Sequence, residues 1–142
     1  MARYLVVAYQ TATSAELVKR LQHLAAEDHE AVFTLLVPAT DPSHLLIWED
    51  GDPVVIASRT AEAARQLLGS RGLTVDRTLV GVASPVQAIA DVLIADPSAY
   101  SALVFCTLPP GISHWLGLDL AAEVAASVSI PVHQVEAGGA FR

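Results

Sequence analysis

Thr107, Gly111, Ser113 and His114 fall within eight residues, directly behind the apolar run Ala102 to Cys106. Ser113 is the hydroxyl to weigh as a nucleophile. It lacks, however, the glycine-flanked elbow that exposes a hydrolase nucleophile, and it also suits a cap on a short turn. His114 could face a ligand, and a solvated imidazole explains it as well. Cys106 ends a strand-like run, where a small buried residue is expected rather than a reactive thiol. Tyr9, Gln10 and Thr11 form a second group, just after another apolar run. The five histidines, His23, His29, His44, His114 and His133, show no metal-ligand spacing. Paired carboxylates and a phosphate loop are missing too. No catalytic residue and no metal are expected, which leaves a ligand-binding loop as the chemistry to place.

The chain of 142 residues suits a single domain over 1–142, burying roughly two thirds of its unfolded surface. Apolar residues make up 53% and charged residues 16%, which opposes disorder. The longest apolar runs, such as Ala31 to Pro38, fall far short of the roughly 18 residues that cross a bilayer. No basic stretch with a sustained apolar segment opens the chain, so no signal peptide and no membrane are expected. The net charge is −7, from eight Lys plus Arg against fifteen Asp plus Glu. A phosphate backbone would be repelled, so nucleic acid is not an expected partner. One cysteine suits a reducing cytoplasm.

The elements that must position these groups alternate along the chain. Tyr4–Tyr9 and Ala31–Pro38 are apolar throughout and read as strands buried on both faces. Between them, Thr13-Ser14-Ala15-Glu16 has the pattern of a capping box, followed by Leu17, Leu21, Leu24 and Ala25 at helical spacing to about Asp28. Ala39–Pro53 is a long polar stretch interrupted by His44-Leu45-Leu46-Ile47-Trp48. It packs either on its own domain, over the site as a flap, or against a partner. Ala57, Ala61, Ala64 and Leu68 mark a second helix. The third strand, Leu73–Val82, carries Asp76, Arg77 and Thr78 and belongs at a sheet edge. Ser84-Pro85 is an N-cap followed by a proline at the first helical position. Ala102–Cys106 is the fourth strand, Asp119 reads as the cap of a helix from Leu120 to Ser127, and Pro131–Val135 is a short fifth strand.

This β-α alternation implies a parallel sheet with right-handed crossovers. Placing the charged third strand and the short fifth strand at the edges gives the order 3-2-1-4-5. Loops 10–13 and 107–113 then face each other across the switch point between strands one and four, where open α/β sheets bind ligands. Trp48 and Trp115 could cover such a crevice or an interface.

With these elements in place, the chain resembles the universal stress protein family over nearly its full length. The resemblance rests on Val80-Gly81-Val82-Ala83-Ser84-Pro85-Val86-Gln87-Ala88-Ile89, on Ser101–Thr107, and on Ile130-Pro131-Val132-His133-Gln134-Val135. It implies an α/β, Rossmann-like three-layer sandwich with a five-stranded parallel sheet, within the adenine nucleotide α-hydrolase-like group. It also implies a homodimer through the fifth strand. Nucleotide-binding members carry a glycine-rich signature after strand four; its positions fall here on Cys106, Pro109, Asp119 and Leu120, and none matches. The family's strand-one Asp falls near Tyr9 or Gln10. Pro109 and Pro110 have no N–H to offer a phosphate, and a carboxylate at Asp119 would repel one.

The expectation is therefore a non-enzymatic, cytoplasmic binding or regulatory protein of the stress response, without ATP or another cofactor. The alternative is a sensor of a small molecule or mononucleotide. The candidate crevice is lined by Tyr9, Gln10, Thr11, Thr107, Gly111, Ser113 and His114. The partner would be a second copy, an unidentified protein or a small molecule.

Overall fold

The computed structural model describes residues 2–8, 15–39, 52–82, 84–96, 98–107 and 118–136. In chain order these form β1 (Arg3–Val7), α1 (Ala15–Glu27), β2 (Val32–Pro38), α2 (Pro53–Ser70), β3 (Val75–Gly81), α3 (Pro85–Ala95), β4 (Ala102–Thr107), α4 (Leu118–Ser127) and β5 (Val132–Glu136). The five strands make one sheet of order β3-β2-β1-β4-β5, and every pairing is parallel. No helix among the described residues is long and apolar enough to cross a membrane.

The unbroken apolar runs have a direct structural cause. Strand residues alternate faces, and β1 contributes to a core on each side. Val6 and Ala8 join Leu17, Val18, Leu21 and Leu24 of α1 and Ala57, Ala61, Ala64 and Leu68 of α2. Leu5 and Val7 join Ala88 and Ile89 of α3 and Val124 of α4. Two helices on each face make the three-layer α/β/α sandwich. Tyr4 and Phe33, opposite each other in β1 and β2, stack with ring centroids 5.5 Å apart at the rim of the first core.

Helix ends follow local chemistry. Asp52 caps α2 by accepting from the Val54 N–H at 2.8 Å, with Pro53 as the first helical residue. The helix therefore starts at the end of the stretch that reads as a long polar segment. Its other end closes as a Schellman turn: Leu73 N–H donates to Leu68 O, and Gly72 N–H to Gly69 O, both at 3.1 Å. Gly72 supplies the positive φ, +83°, that the motif requires. Residues 73 and 74 are spent on this turn, so β3 begins at Val75 rather than Leu73. Ser84 caps α3 through the Gln87 N–H at 3.3 Å, as its sequence implies.

Other boundaries differ from the sequence reading too: β1 spans Arg3–Val7, β3 ends at Gly81 and β4 reaches Thr107. α4 starts at Leu118, so Asp119 is its second residue and not its cap. β5 runs from Val132 to Glu136, one residue later, because Pro131 has no N–H to give; its carbonyl still accepts from Leu103 N–H at 2.8 Å. β2 starts at Val32. The capping box read at the start of α1 pairs Glu16 with Thr13, which lies outside the described residues; Glu16 Oε1 is buried without a hydrogen-bond partner among them.

Candidate functional site

The strand order reverses between β1 and β4, which places the switch point there. β1 leads outward to β2 and β3, and β4 leads the other way to β5. Val7 stands opposite Leu36 on one side and Phe105 on the other. One residue further, the Ala8 N–H donates to Leu36 O at 3.2 Å, so β1 is held to its last described residue. Ala8 and Cys106 are both fully buried on the α1/α2 face, and Val7 and Phe105 on the α3/α4 face. The side chains at the described ends of these two strands are therefore apolar and buried. Cys106 is a core residue, as its position in the sequence implies.

Of the sequence-derived site residues, Thr107 is the last residue of β4, in register with Glu136 of β5. Tyr9, Gln10, Thr11, Gly111, Ser113 and His114 lie outside the described residues, as do Trp48 and Trp115. The structure thus supplies the frame that would hold the crevice.

The polar groups that the described structure does bring together are at the opposite end of the sheet. The register of β2 against β3 slips between Phe33↔Val75 and Thr34↔Arg77, leaving Asp76 as an extra residue. Asp76 turns inward. Its Oδ1 accepts from Thr34 Oγ1 at 2.8 Å, and its Oδ2 lies 3.5 Å from Arg3 Nη2. Thr34 is a fully buried polar residue, and this bond satisfies its hydroxyl. Arg77 then faces α3 and donates to the Tyr100 hydroxyl at 3.2 Å. That hydrogen bond, the leading cause, holds the guanidinium pKa above its ordinary value; burial opposes it, and Asp76 and Asp96 add smaller support. Sequence reasoning read these charges only as an edge-strand signal; the bulge that turns Asp76 inward has no sequence signature.

Two open grooves of about 350 Å³ each lie away from the switch point. One runs between β3 and α3, lined by Leu79, Val92, Ala95, Arg77, Asp91 and Asp96 among others. The other lies between the C-terminal turns of α3 and α4, around Leu93, Ile94 and Val128. Among the described residues no group of three or more His, Cys, Asp or Glu is placed to hold a metal ion.

The decisive comparison is of the whole chain. The universal stress protein from Archaeoglobus fulgidus superposes with a TM-score of 0.62 at 18% identity, covering 95% of this chain and 93% of that one. The fold is that of the universal stress proteins. A universal stress protein from the same organism in complex with dAMP gives 0.61 at 15% identity, over 95% and 97% of the two chains. A universal stress protein in complex with cAMP gives 0.58 at 20%, over 97% and 100%. No family model and no curated protein matches the chain.

Proposed function

We propose that the chain is a universal-stress-type binding and regulatory protein, without catalytic activity, whose switch-point crevice no longer takes ATP. One observation carries this reading: Cys106, at the first position of the ATP signature, is a fully buried residue of β4. The loop behind it adds two prolines without N–H groups where glycine amides would meet phosphate. The protein acts through contacts with other proteins, as a homodimer joined along β5.

A mononucleotide sensor is the second reading. Its support is that two proteins of this fold were solved with dAMP and cAMP, ligands carrying one phosphate rather than three.

Thermal-shift titration with ATP, AMP and cAMP tests both. A ligand that binds only the folded state stabilises it by RT ln(1 + [L]/Kd), about 2.7 kcal/mol at a hundredfold excess over Kd. The first reading expects no shift from any of the three at millimolar concentration. Stabilisation by AMP or cAMP but not ATP selects the second. A shift of several degrees with ATP, lost on substituting the Thr107–Ser113 loop, removes the first. Light scattering at the mass of one chain would refute the dimer.

A further inference from the structure

The two halves of the outer edge of β3 are built differently. Toward its start, the Asp76 bulge and the Arg77–Tyr100 bond disturb the ladder and place charge at the edge, as natural sheets do to prevent strand addition. The second half has no such protection. Thr78-Leu79-Val80-Gly81 and the Val82 that follows the strand hold no charge and no proline, and Val80 and Val82 are 37% and 49% exposed. No described strand lies outside it.

Backbone direction is fixed along this half. Gly81 O accepts from Ala39 N–H at 2.9 Å, so Gly81 faces β2. Backbone polar groups alternate sides along a strand, so the N–H and C=O of Thr78 and Val80 face outward. The faces beside them are unlike. Val80 is opposite Val37, whose side chain belongs to the α1/α2 core. On that side α2, which packs on β3, begins with the exposed Val54 and Val55. On the other face Leu79 opens into the groove against α3, with Val92 and Ala95 in its wall and Asp91, Asp96 and Arg77 on its rim. Arg77 is already engaged by Tyr100. Two exposed carboxylates stand against one committed cation, Asp91 also accepting from Gln87 Nε2 at 2.8 Å, on a chain of net charge −7.

An added strand would send alternate side chains to these two faces. Apolar residues suit the valine side. On the groove side, a long aliphatic stem with a cationic end covers the apolar wall and reaches the carboxylates. We propose that the outer edge of β3, with its groove against α3, docks an extended partner segment in which apolar side chains alternate with lysine or arginine. This surface lies at the sheet edge, apart from the β1–β4 crevice, and does not depend on what that crevice binds.

The probe is the peptide acetyl-Thr-Val-Lys-Val-Lys-Thr-amide, with its Lys-to-Glu counterpart as control, added to the full chain. Anisotropy measures binding, and hydrogen exchange reads the β3 amides. The lysine peptide is expected to bind and to slow exchange of the Thr78 and Val80 amides at least tenfold, with the glutamate peptide inactive. Asp91→Lys with Asp96→Lys, both at exposed sites, is expected to weaken the lysine peptide at least tenfold and to admit the glutamate one. Val80→Pro removes an outward N–H, a change edge strands tolerate, and is expected to abolish binding while the melting curve stays cooperative. Equal binding of both peptides would overturn the proposal. So would protection of Thr78 and Val80 in the chain alone, which would mean that its own segment or a second copy already covers the edge.

Discussion

Arg77 Nη2 and the Tyr100 hydroxyl are 3.2 Å apart, joining the edge strand β3 to the turn that leads from α3 into β4. Tyr100 is 4% exposed and packs in the α3/α4 core, so its hydroxyl is the one polar end of a buried ring. Arg77 is exposed, so solvent screens much of the charge in this bond. Tyr100→Phe is expected to cost about 1 kcal/mol, a fall in Tm of roughly 3–5 °C for a chain of this size. Combining it with Arg77→Met should show a coupling of about 0.5–1 kcal/mol. Equal effects of Tyr100→Phe with and without Arg77 would show that the bond contributes nothing.

Gly81 is a point of close approach between β3 and α3. A methyl group there would lie 2.6 Å from the Ala88 Cβ and 3.2 Å from Leu36 Cδ1. Both neighbours are buried; Leu36 Cδ1 is a side-chain end that can shift, but the Ala88 Cβ is fixed to the helix backbone, so that contact forces helix and strand apart. Gly81→Ala is expected to destabilise by about 1–3 kcal/mol, read as a lower urea midpoint. Adding Ala88→Gly removes the clashing methyl, at about 1 kcal/mol of helix propensity. The double variant should lie closer to wild type than the two single losses added together. Strict additivity would sink the steric explanation.

Asp28 ties the start of the chain to the turn after α1. Its Oδ1 accepts from Glu30 N–H at 3.0 Å and its Oδ2 from Ala2 N–H at 2.8 Å. These two bonds, the Glu30 one first, lower its pKa below the ordinary 3.8, with smaller help from the N-terminus and His29 and a small opposing effect of burial. A depressed folded pKa means stability that is present above the unfolded value and lost as pH falls through the folded one. The Asp28 carboxyl carbon should therefore titrate by NMR with a midpoint below 3.8, and Asp28→Asn should flatten part of the acid limb of the Tm–pH curve. A midpoint at or above 3.8 would contradict the arrangement.

The frame was readable from residues because each part rests on local rules. Ser84-Pro85 specifies a helix start by an acceptor side chain and a residue whose missing N–H costs nothing there. The same logic applies to Asp52-Pro53, which marks the true start of α2 inside the stretch read as loop. Asp119 misled because an acidic residue stabilises both the cap and the first turn of a helix, and local chemistry does not separate the two. The candidate crevice was legible only as a place. Apart from Thr107, its residues lie in stretches of sequence where no periodicity constrains them, outside the described residues.

The sequence by itself determined the strand and helix order, the two-faced burial of β1, β2 and β4, and the edge positions of β3 and β5. These follow from hydrophobic pattern and charge, which act residue by residue. Only the tertiary structure decided which charges at the edge meet partners. Asp76 turns inward to Thr34 and Arg3 because of a one-residue slip against β2, and Arg77 reaches a tyrosine 23 residues away. Such pairings depend on register and crossover geometry, which no local window of sequence contains. That leaves the second half of β3 as an apolar edge beside an acidic groove.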